Sequence, residues 1–359
     1  MPFSRQVPFN DLPLLPPENH IFETVTVYKK LAEARASLAE LKGRSPIIPN
    51  PLMLVNTLVL QEARDSSIIE NIMTSSDRLF RAFSSNRPNI DPAIKEVLRY
   101  RESLWQAFQN LQKSKQWQMD WIVQIFRDLT QKDEAVRQKQ VYIGNAYNII
   151  YTPPAPGKML EDKLLNWLDF VTSFTGLDPL VKMAILHYQF EAIHPFSDGN
   201  GRTGRILNTL YLTHTGLLSL PILYISKYIL EYKNEYYRLF TEVTENGQWE
   251  SWILYMLEAV NQTAQFTLGK VNAIYALFKE VLEKVRTDAK DIYSHELIEV
   301  LFTQTYCKIG ILVEHKIASR NTASKYLNRL QELGILERKK EGRETLYLHK
   351  KLYEILAQA

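Results

Sequence analysis

The sequence predicts a mainly α-helical protein, and three observations support this fold class. The chain has 359 residues, enough for two or three cores. Apolar residues recur at helical spacing along most of it, whereas strand patterns are few. From about Ile292 the pattern changes to helix, helix and two-stranded hairpin, which is typical of a winged helix. The predicted domains are an N-terminal helical region (1–110), a central core (111–285) and a C-terminal winged-helix domain (286–359).

The N-terminal region opens with a proline-rich stretch. We expect it to form an extended arm that lies on the core or is loosely ordered. Tyr28 to Lys42 is amphipathic, and Gly43 is expected to end this helix. Further helices are predicted at residues 49–70, 90–111, 121–129, 160–174, 179–192, 205–215, 231–244 and 249–286.

Residues 141–150 (VYIGNAYNII) alternate enough to predict a short β-hairpin with its turn at Gly144-Asn145. A small surface hairpin with no further role is an equally supported interpretation of these residues alone.

The C-terminal domain carries a predicted helix over residues 321–333 and strands over 335–340 and 344–348, joined by a turn at 341–343. Its basic residues are Arg320, Lys325, Arg329, Arg338, Lys339, Lys340 and Arg343. They favour contact with the phosphate backbone of DNA. A protein-interaction or dimerisation surface is equally supported, because nearby glutamates dilute the charge.

Composition narrows the class of protein. A net charge of +3 is too small to indicate nucleic acid by itself. The single cysteine, Cys307, excludes an internal disulfide and a cysteine metal cluster. No apolar run is long enough to span a bilayer, and the N-terminus lacks the apolar core of a signal peptide. We therefore expect a cytoplasmic protein with no membrane partner.

Residues 194–205 (HPFSDGNGRTGR) combine groups suited to a polyphosphate. Gly199, Gly201 and Gly204 let the backbone approach a ligand closely. Helical spacing resumes downstream, so residues 199–204 should form the loop and opening turn of a helix, where unpaired N–H groups attract anions. A buried glycine turn with solvated arginines is the simpler alternative, but it does not explain so many such groups together.

The charged side chains of this loop fill complementary roles. Arg202 and Arg205, three residues apart, can share one helix face and bind separate phosphate oxygens. Asp198 supplies the carboxylate oxygen that Mg²⁺ prefers. The ordinary pKa of a histidine suits His194 to proton abstraction near neutrality.

The same twelve residues match H-x-F-x-(D/E)-G-N-G-R-x-x-R at every fixed position, so the chain resembles the Fic family of nucleotidyltransferases. The resemblance implies a Fic-type helical bundle, ATP as substrate and Mg²⁺ held by Asp198. It also implies that His194 deprotonates a target hydroxyl and that Phe196 is a buried anchor. The nucleotide-binding residues that it implies are His194, Gly199, Asn200, Gly201, Arg202, Thr203, Gly204 and Arg205.

Residues 66–71 (SSIIEN) resemble the inhibitory motif of this family, (S/T)-x-x-x-E-(G/N). Glu70 is expected to form a bidentate pair with Arg205 and to occupy the group that the γ-phosphate of ATP needs. ATP would then bind with its α-phosphate out of line for attack. The resemblance thus implies self-inhibition by Glu70 at the nucleotide site.

Two further expectations follow from the resemblance. The hairpin, extended to residues 141–156, is expected to act as a flap that pairs with the backbone of a target protein, with Ile143 touching the nucleotide. Tyr236-Tyr237 resembles a tyrosine pair of the family, and we predict that Tyr237 lines the adenine pocket. Ordinary packing of these rings in the helical core is an equally supported alternative.

The leading functional hypothesis is AMP transfer from Mg·ATP to a Ser, Thr or Tyr hydroxyl of a protein. Gly201 favours it within the family, because Doc-type proteins that transfer phosphate tend to carry lysine there. The alternative is an ATP-sensing winged-helix DNA-binding regulator with little turnover, although a pure sensor needs no base such as His194. Other nucleotides, phosphocholine transfer, AMP removal, self-AMPylation and a homodimer are left open.

Overall fold

The computed structural model describes residues 4–17, 22–84, 90–145, 148–173, 176–341 and 344–357. Within these ranges the chain is mainly helical with two small sheets, which confirms the predicted fold class. The helices are α1 Val25–Arg44, α2 Pro51–Ile69, α3 Ser76–Ser84, α4 Pro92–Ser114, α5 Met119–Thr130, α6 Lys158–Thr172, α7 Pro179–Ile193, α8 Asn200–His214, α9 Ile225–Glu231, α10 Lys233–Asn246, α11 Trp249–Asp288, α12 His295–Phe302, α13 Ile309–Glu314, α14 Arg320–Glu332 and α15 Lys350–Ala357. The strands are β1 Ile143–Asn145, β2 Asn148–Tyr151, β3 Tyr306–Cys307, β4 Glu337–Glu341 and β5 Glu344–Leu348.

The long helices lie close to their predicted positions, and the short ones were missed. Gly43 lies inside α1 and does not end it; the helix continues to Arg44, and the N–H of Ser45 bonds back to Leu41. The helices without a predicted range are α3, α9, α12, α13 and α15. They have between six and nine residues, too few turns for a periodic apolar pattern to be recognised.

The middle of the molecule is built around α7, which is buried from Leu180 to Ile193. It packs against α6, α8 and α11. α7 ends at His194, whose left-handed backbone (φ 50°, ψ 61°) turns the chain into the segment before α8. The residues of the predicted phosphate loop therefore connect two helices of the core.

α2 lies against α4, α8 and α9, and buried polar contacts fix its position. Glu62 accepts hydrogen bonds from the backbone N–H of Ser226 at 2.9 Å and from the hydroxyl of Tyr100 at 3.2 Å. Asp65 accepts one from the hydroxyl of Tyr224 at 2.5 Å. These contacts hold the helix whose C-terminal end carries Glu70.

The predicted hairpin forms, but its turn was placed wrongly. β1 and β2 pair antiparallel, with Asn145 opposite Asn148, so Gly144 and Asn145 belong to the strand. Gly144 has φ 121° next to a register shift, a bulge position that suits glycine. The residues that connect the strands, 146 and 147, lie outside the described part of the chain.

The C-terminal domain runs in the order α12, β3, α13, α14, β4, β5, α15. The hairpin β4–β5 gains a third strand, β3, so the sheet order is β3-β5-β4. Cys307 in β3 is buried, which raises the pKa of its thiol to about 12 and leaves it unreactive. The predicted turn residues 342 and 343 are outside the described ranges. Across the described helices, none is both long and apolar enough to cross a membrane.

Candidate active site

A cavity of about 460 Å³ lies where α2, the hairpin, the segment 194–199, α8 and α10 meet. The predicted site residues that line it are Glu70, Ile143, His194, Asp198, Gly199, Asn200, Gly201, Arg205 and Tyr237. Three predicted residues, Arg202, Thr203 and Gly204, do not line it. Residues far apart in the sequence are thus brought to one place, with the signature segment at its centre.

His194 is half-buried at the wall of this cavity. Its Nδ1 lies 3.2 Å from the backbone oxygen of Glu191, and a carbonyl can only accept, so Nδ1 carries the proton. Nε2 is therefore the free basic nitrogen. Burial lowers the pKa of His194 to about 4, so the ring is neutral at neutral pH and can take up a proton.

Asn200 fixes the segment between the two helices. Its Oδ1 accepts from the backbone N–H of Phe196 at 2.8 Å, and its Nδ2 donates to the oxygen of the same residue at 2.9 Å. The ring of Phe196 is fully buried and stacks on Phe126 with centroids 4.2 Å apart. The side-chain amide of Asn200, which is expected to bind phosphate, thus also stabilises the loop between α7 and α8.

The N-terminus of α8 opens onto the cavity. Gly199, at φ 68°, is its N-cap, and Gly201 in the first turn touches the carboxylate of Glu70. A Cβ at Gly201 would collide with that carboxylate and come within 3.0 Å of Nη1 of Arg205. Glycine here gives an anion access to the helix terminus, which attracts negative charge.

Glu70 and Arg205 are paired, but not in the expected bidentate way. Arg205 is buried, and its Nη2 lies 3.0 Å from Oε1 of Glu70. Its Nε donates to Oγ of Ser66 at 2.8 Å, and Nη2 also donates to the backbone oxygen of Ser66 at 2.9 Å. Because Ser66 takes these donors, Glu70 contributes a single oxygen. Burial is the largest single influence and lowers the pKa of the Arg205 guanidinium, but Glu70, Tyr100 and Glu191 together outweigh it and raise that pKa above its ordinary value.

The residue after Glu70 ends α2. Asn71 has φ 64°, its N–H donates to Ile68 at 2.9 Å, and the N–H of Ile72 donates to Ser67 at 3.0 Å. This pair of bonds is a Schellman motif, whose left-handed residue is usually glycine or asparagine. The two polar ends of the SSIIEN segment thus have different structural roles. Ser66 accepts hydrogen bonds from Arg205, and Asn71 ends the helix directly after Glu70.

Arg202 and Arg205 do not act as a pair on one cavity wall. Arg202 is buried and turned towards α4, with Nη1 2.8 Å from Oε2 of Glu96. Its Nη2 is 3.7 Å from Asp198, which also has Nζ of Lys132 at 3.3 Å. Partial burial raises the pKa of Asp198, but Arg202 and Lys132 together lower it below its ordinary value. Asp198 is therefore ionised at the cavity edge.

The protein groups at the cavity suit a metal ion that takes most of its ligands from a bound phosphate and from water. No group of three or more His, Cys, Asp or Glu side chains suited to hold a metal occurs in the described ranges. Asp198 offers one ionised carboxylate beside the helix terminus. Mg²⁺ bound through one carboxylate, phosphate oxygens and water would suit such a site.

Among the residues at or beside the site that were not predicted from the sequence, three carry an ionisable side chain that bears on its chemistry. Glu191 lines the cavity, and burial raises the pKa of its carboxyl to about 8. Lys233 also lines the cavity and donates from Nζ to the backbone oxygen of Ile69 at 2.7 Å. Arg137 donates to the backbone of His194 at 2.8 Å. A glutamate within the otherwise apolar end of α7 was a usable signal for the first; no sequence pattern marks the other two.

The tyrosine pair divides between two roles. The hydroxyl of Tyr236 is 3.0 Å from Nε2 of His187, and the ring of Tyr236 is buried in the core. Tyr237 is more exposed and lines the cavity, although burial raises the pKa of its hydroxyl to about 12. Both tyrosines border the cavity, but Tyr237 is the more exposed and offers more surface to a ligand.

Comparison with known families gives three matches along the chain. The model described as Fic/DOC family N-terminal matches residues 28–109, and that of the Fic/DOC family matches residues 109–212. Residues 277–352 match the C-terminal domain of SoFic-like protein adenylyltransferases.

Individual relatives match over shorter segments. Protein adenylyltransferase fic-1 of Caenorhabditis briggsae is 39% identical over 83 residues, which are 23% of this chain and 15% of that protein. Protein adenylyltransferase Fic of Drosophila yakuba is 32% identical over 134 residues, which are 37% of this chain and 24% of that protein. The chain thus matches only a quarter or less of the length of these relatives.

Two solved structures share the fold. A Fic family protein from Desulfovibrio desulfuricans superimposes with a TM-score of 0.59 at 20% identity, over 93% of this chain and 98% of that chain. Fic-1 of Caenorhabditis elegans superimposes with a TM-score of 0.52 at 20% identity, over 68% of this chain and 74% of that chain. At these identities the likeness is one of fold.

Proposed function

The chain belongs to the Fic/DOC family, and on that basis we propose that it is a protein adenylyltransferase that transfers AMP from ATP to a hydroxyl group of a protein. Relatives that bear this name support the proposal. The observation that carries it is that His194, the N-terminus of α8 and Arg205 line one cavity. Its volume of about 460 Å³ is within the usual range for small-molecule sites.

In the proposed reaction His194 acts as the general base. Nε2 takes the proton from a Ser, Thr or Tyr hydroxyl of the target, and the oxygen attacks the α-phosphorus of ATP. The bond from the α-phosphorus to the oxygen that bridges to the β-phosphorus breaks in line, and pyrophosphate leaves. The neutral state of His194 at neutral pH supports this role.

The phosphates would be bound by the N–H groups of the first turn of α8 and by Arg205. Tyr237 would contact the adenine, and Ile143 of the hairpin would border the nucleotide. Mg²⁺, when bound, would be held by Asp198 and would supply positive charge to the phosphates. Arg202 of α8 pairs with Asp198 and with Glu96 of α4, and it is not proposed as a direct phosphate ligand in this conformation.

We further propose that Glu70 inhibits the enzyme. Its carboxylate lies against the first turn of α8 and pairs with Arg205, so it occupies both groups that the outer phosphate would need. The target would be presented along the hairpin 141–156 as an added strand, since β1 borders the cavity.

The type of transfer can be tested with two labels. ATP labelled at the α-phosphate should label protein in the presence of Glu70→Gly and Mg²⁺, whereas ATP labelled at the γ-phosphate should not. Label from the γ-phosphate would show phosphate transfer and contradict the proposal. No label from either, with ATP bound, would point to another donor.

The alternative function, an ATP-sensing DNA-binding regulator, is favoured by one observation. The order α12, β3, α13, α14, β4, β5 resembles the helix, helix and hairpin pattern of a winged helix, and Arg320 and Lys325 are exposed on α14. Arg329 is less available, because it pairs with Glu332 at 2.9 Å. If this surface binds DNA, Arg320→Ala should weaken retention on DNA at low salt. Failure of the unmodified protein to be retained would reject the alternative.

A further inference from the structure

Arg137 lies in the segment between α5 and β1, outside the predicted site, and contacts both parts that the proposed reaction must align. Its guanidinium donates to three backbone oxygens: from Nε to His194 at 2.8 Å, from Nη1 to Lys139 at 3.1 Å and from Nη2 to Pro154 at 2.5 Å. Its backbone N–H donates to the oxygen of Pro195 at 2.9 Å. Arg137 therefore connects the loop that carries His194, the proposed general base, to the residues that follow the hairpin.

This guanidinium is buried, with Arg137 only 2% exposed. Burial lowers its pKa to about 10, so the group is still charged at neutral pH. No carboxylate in the described part of the chain pairs with it. A buried cation is costly unless hydrogen bonds replace its lost hydration, and the three carbonyl oxygens do so here. The position therefore calls for a rigid, planar group with donors in several directions.

On the side of the base, Arg137 holds an unusual backbone. His194 has φ 50° and ψ 61°, a left-handed conformation that is uncommon for L residues, although Asn, Asp and His adopt it more often than the others. The bonds to the oxygens of His194 and Pro195 stabilise the chain in that turn. Because a side chain leaves its backbone in a fixed direction, these bonds also determine where the imidazole lies.

On the side of the hairpin, Arg137 holds the residues that follow β2. Pro154 accepts its Nη2, and neighbouring residues are held by the N-terminal arm. The N–H of Phe9 donates to Thr152 at 3.0 Å, and the N–H of Ala155 donates to Asn10 at 2.9 Å. The base of the hairpin is thus fixed at its exit, while β1 and β2 extend from it along the cavity.

We propose that Arg137 is a positioning residue that sets the hairpin 141–156 against His194, so that a hydroxyl presented along the hairpin lies within reach of Nε2. This inference rests on the proposed transfer reaction. Arg137 does not line the cavity, so it acts through the two segments that it joins and not through contact with the nucleotide.

The test uses Arg137→Lys in the full-length Glu70→Gly protein. Lysine keeps the charge but has one nitrogen, which cannot reach three carbonyl oxygens in fixed directions. The matched control is Arg99→Lys, because Arg99 bonds within its own helix, to the backbone oxygen of Lys95, and to no other residue in the described ranges. Hydrogen exchange of the free protein and the kinetics of AMP transfer are both measured.

We expect backbone amides of residues 149–152 and of Phe196 to exchange about tenfold faster in Arg137→Lys, with those of α11 unchanged. The kcat of transfer should fall by about 100-fold, as expected for a misplacement of about 1 Å, while the Kd for ATP changes by less than about threefold. Arg99→Lys should match the parent protein in both measurements.

Each other outcome overturns a specific part of the account. Unchanged local exchange in Arg137→Lys would overturn the positioning role, as would faster exchange throughout the molecule, which would indicate a general loss of stability. Weaker ATP binding with unchanged kcat would also overturn it. If the Glu70→Gly parent transfers no AMP, the proposed function fails, and local exchange alone then decides whether Arg137 joins the two segments.

Discussion

Among individual residues, Arg205 is the one on which the proposed binding and the proposed inhibition both depend. Its guanidinium is buried and shared by Ser66 and Glu70. A phosphate oxygen that binds Nη2 of Arg205 would compete with Glu70 for it, whereas Nε is held by Ser66 of α2. The proposed inhibition is a competition between two anions for the guanidinium of Arg205, and its strength should depend on what holds Glu70 in place.

Lys233 is one such group, since it donates to the oxygen of Ile69, next to Glu70. Loss of a hydrogen bond to a charged donor costs about 1.5 kcal/mol, or about tenfold in an equilibrium. We expect the activation caused by Glu70→Gly to be about tenfold smaller when Lys233 is replaced by Met. The ratio of the two transfer rates is measured, so any effect of Lys233 on ATP binding cancels. An unchanged ratio would show that Lys233 does not act through Glu70; Lys158→Met is the control.

The pKa of His194 gives a second prediction for a single residue. Burial lowers this pKa to about 4, from an ordinary value of 6.5, whereas the hydrogen bond to the backbone of Glu191 and the carboxylate of Glu70 act to raise it. The neutral ring is the active base, so activity is present above the pKa and lost as the pH falls through it. In Glu70→Gly the acid limb of kcat/KM should therefore lie near pH 4. A limb near pH 6.5 would contradict the burial of this residue in the active protein.

Among the elements, α2 is the helix whose C-terminal end positions Glu70. Glu62 and Asp65 fix it to α4 and to the Tyr224–Ser226 segment, and the Schellman motif at Asn71 ends it. The helix could be predicted from its apolar spacing, and Glu70 from the resemblance. The single-oxygen contact with Arg205 could not, because it depends on Ser66 meeting Arg205 from another helix.

The end of α2 can be tested at Asn71. A left-handed backbone costs alanine about 1 to 2 kcal/mol, whereas glycine adopts it freely. We expect Asn71→Ala to raise the AMP transfer of the otherwise unchanged protein about fivefold, and Asn71→Gly to leave it near its starting level. Equal rates for the two variants would mean that the backbone at Asn71 does not control Glu70.

The predictable elements were the helices long enough to show several turns of apolar spacing and the segment that matches an exact signature. α7, α11 and the start of α8 follow from apolar spacing and from HPFSDGNGRTGR. The direction of the Arg202 side chain could not be predicted from the sequence, because it is set by an ion pair with Glu96 of α4, away from the cavity. Sequence spacing placed Arg202 and Arg205 on one face but could not show which neighbours would meet each side chain.

In the whole molecule, the C-terminal domain touches the region that follows Glu70. The hydroxyl of Tyr306 in β3 donates to Asp77 of α3 at 2.6 Å, and Phe80 of α3 meets Tyr353 of α15 with centroids 6.0 Å apart. α3 follows Glu70 by only a short segment. In this region α14, β4 and β5 follow from the sequence, but this contact does not, because α3 and β3 are too short to be recognised in the sequence.

The central claim is that AMP transfer takes place in this cavity and that Glu70 inhibits the reaction. Its most direct test is label transfer from ATP carrying ³²P at the α-phosphate, with Mg²⁺, in the unmodified protein, Glu70→Gly and Glu70→Gly/His194→Ala. Strong labelling of protein in Glu70→Gly alone is the predicted result. Equal labelling of the unmodified protein and Glu70→Gly would contradict inhibition by Glu70, and labelling that persists without His194 would contradict its role as the base.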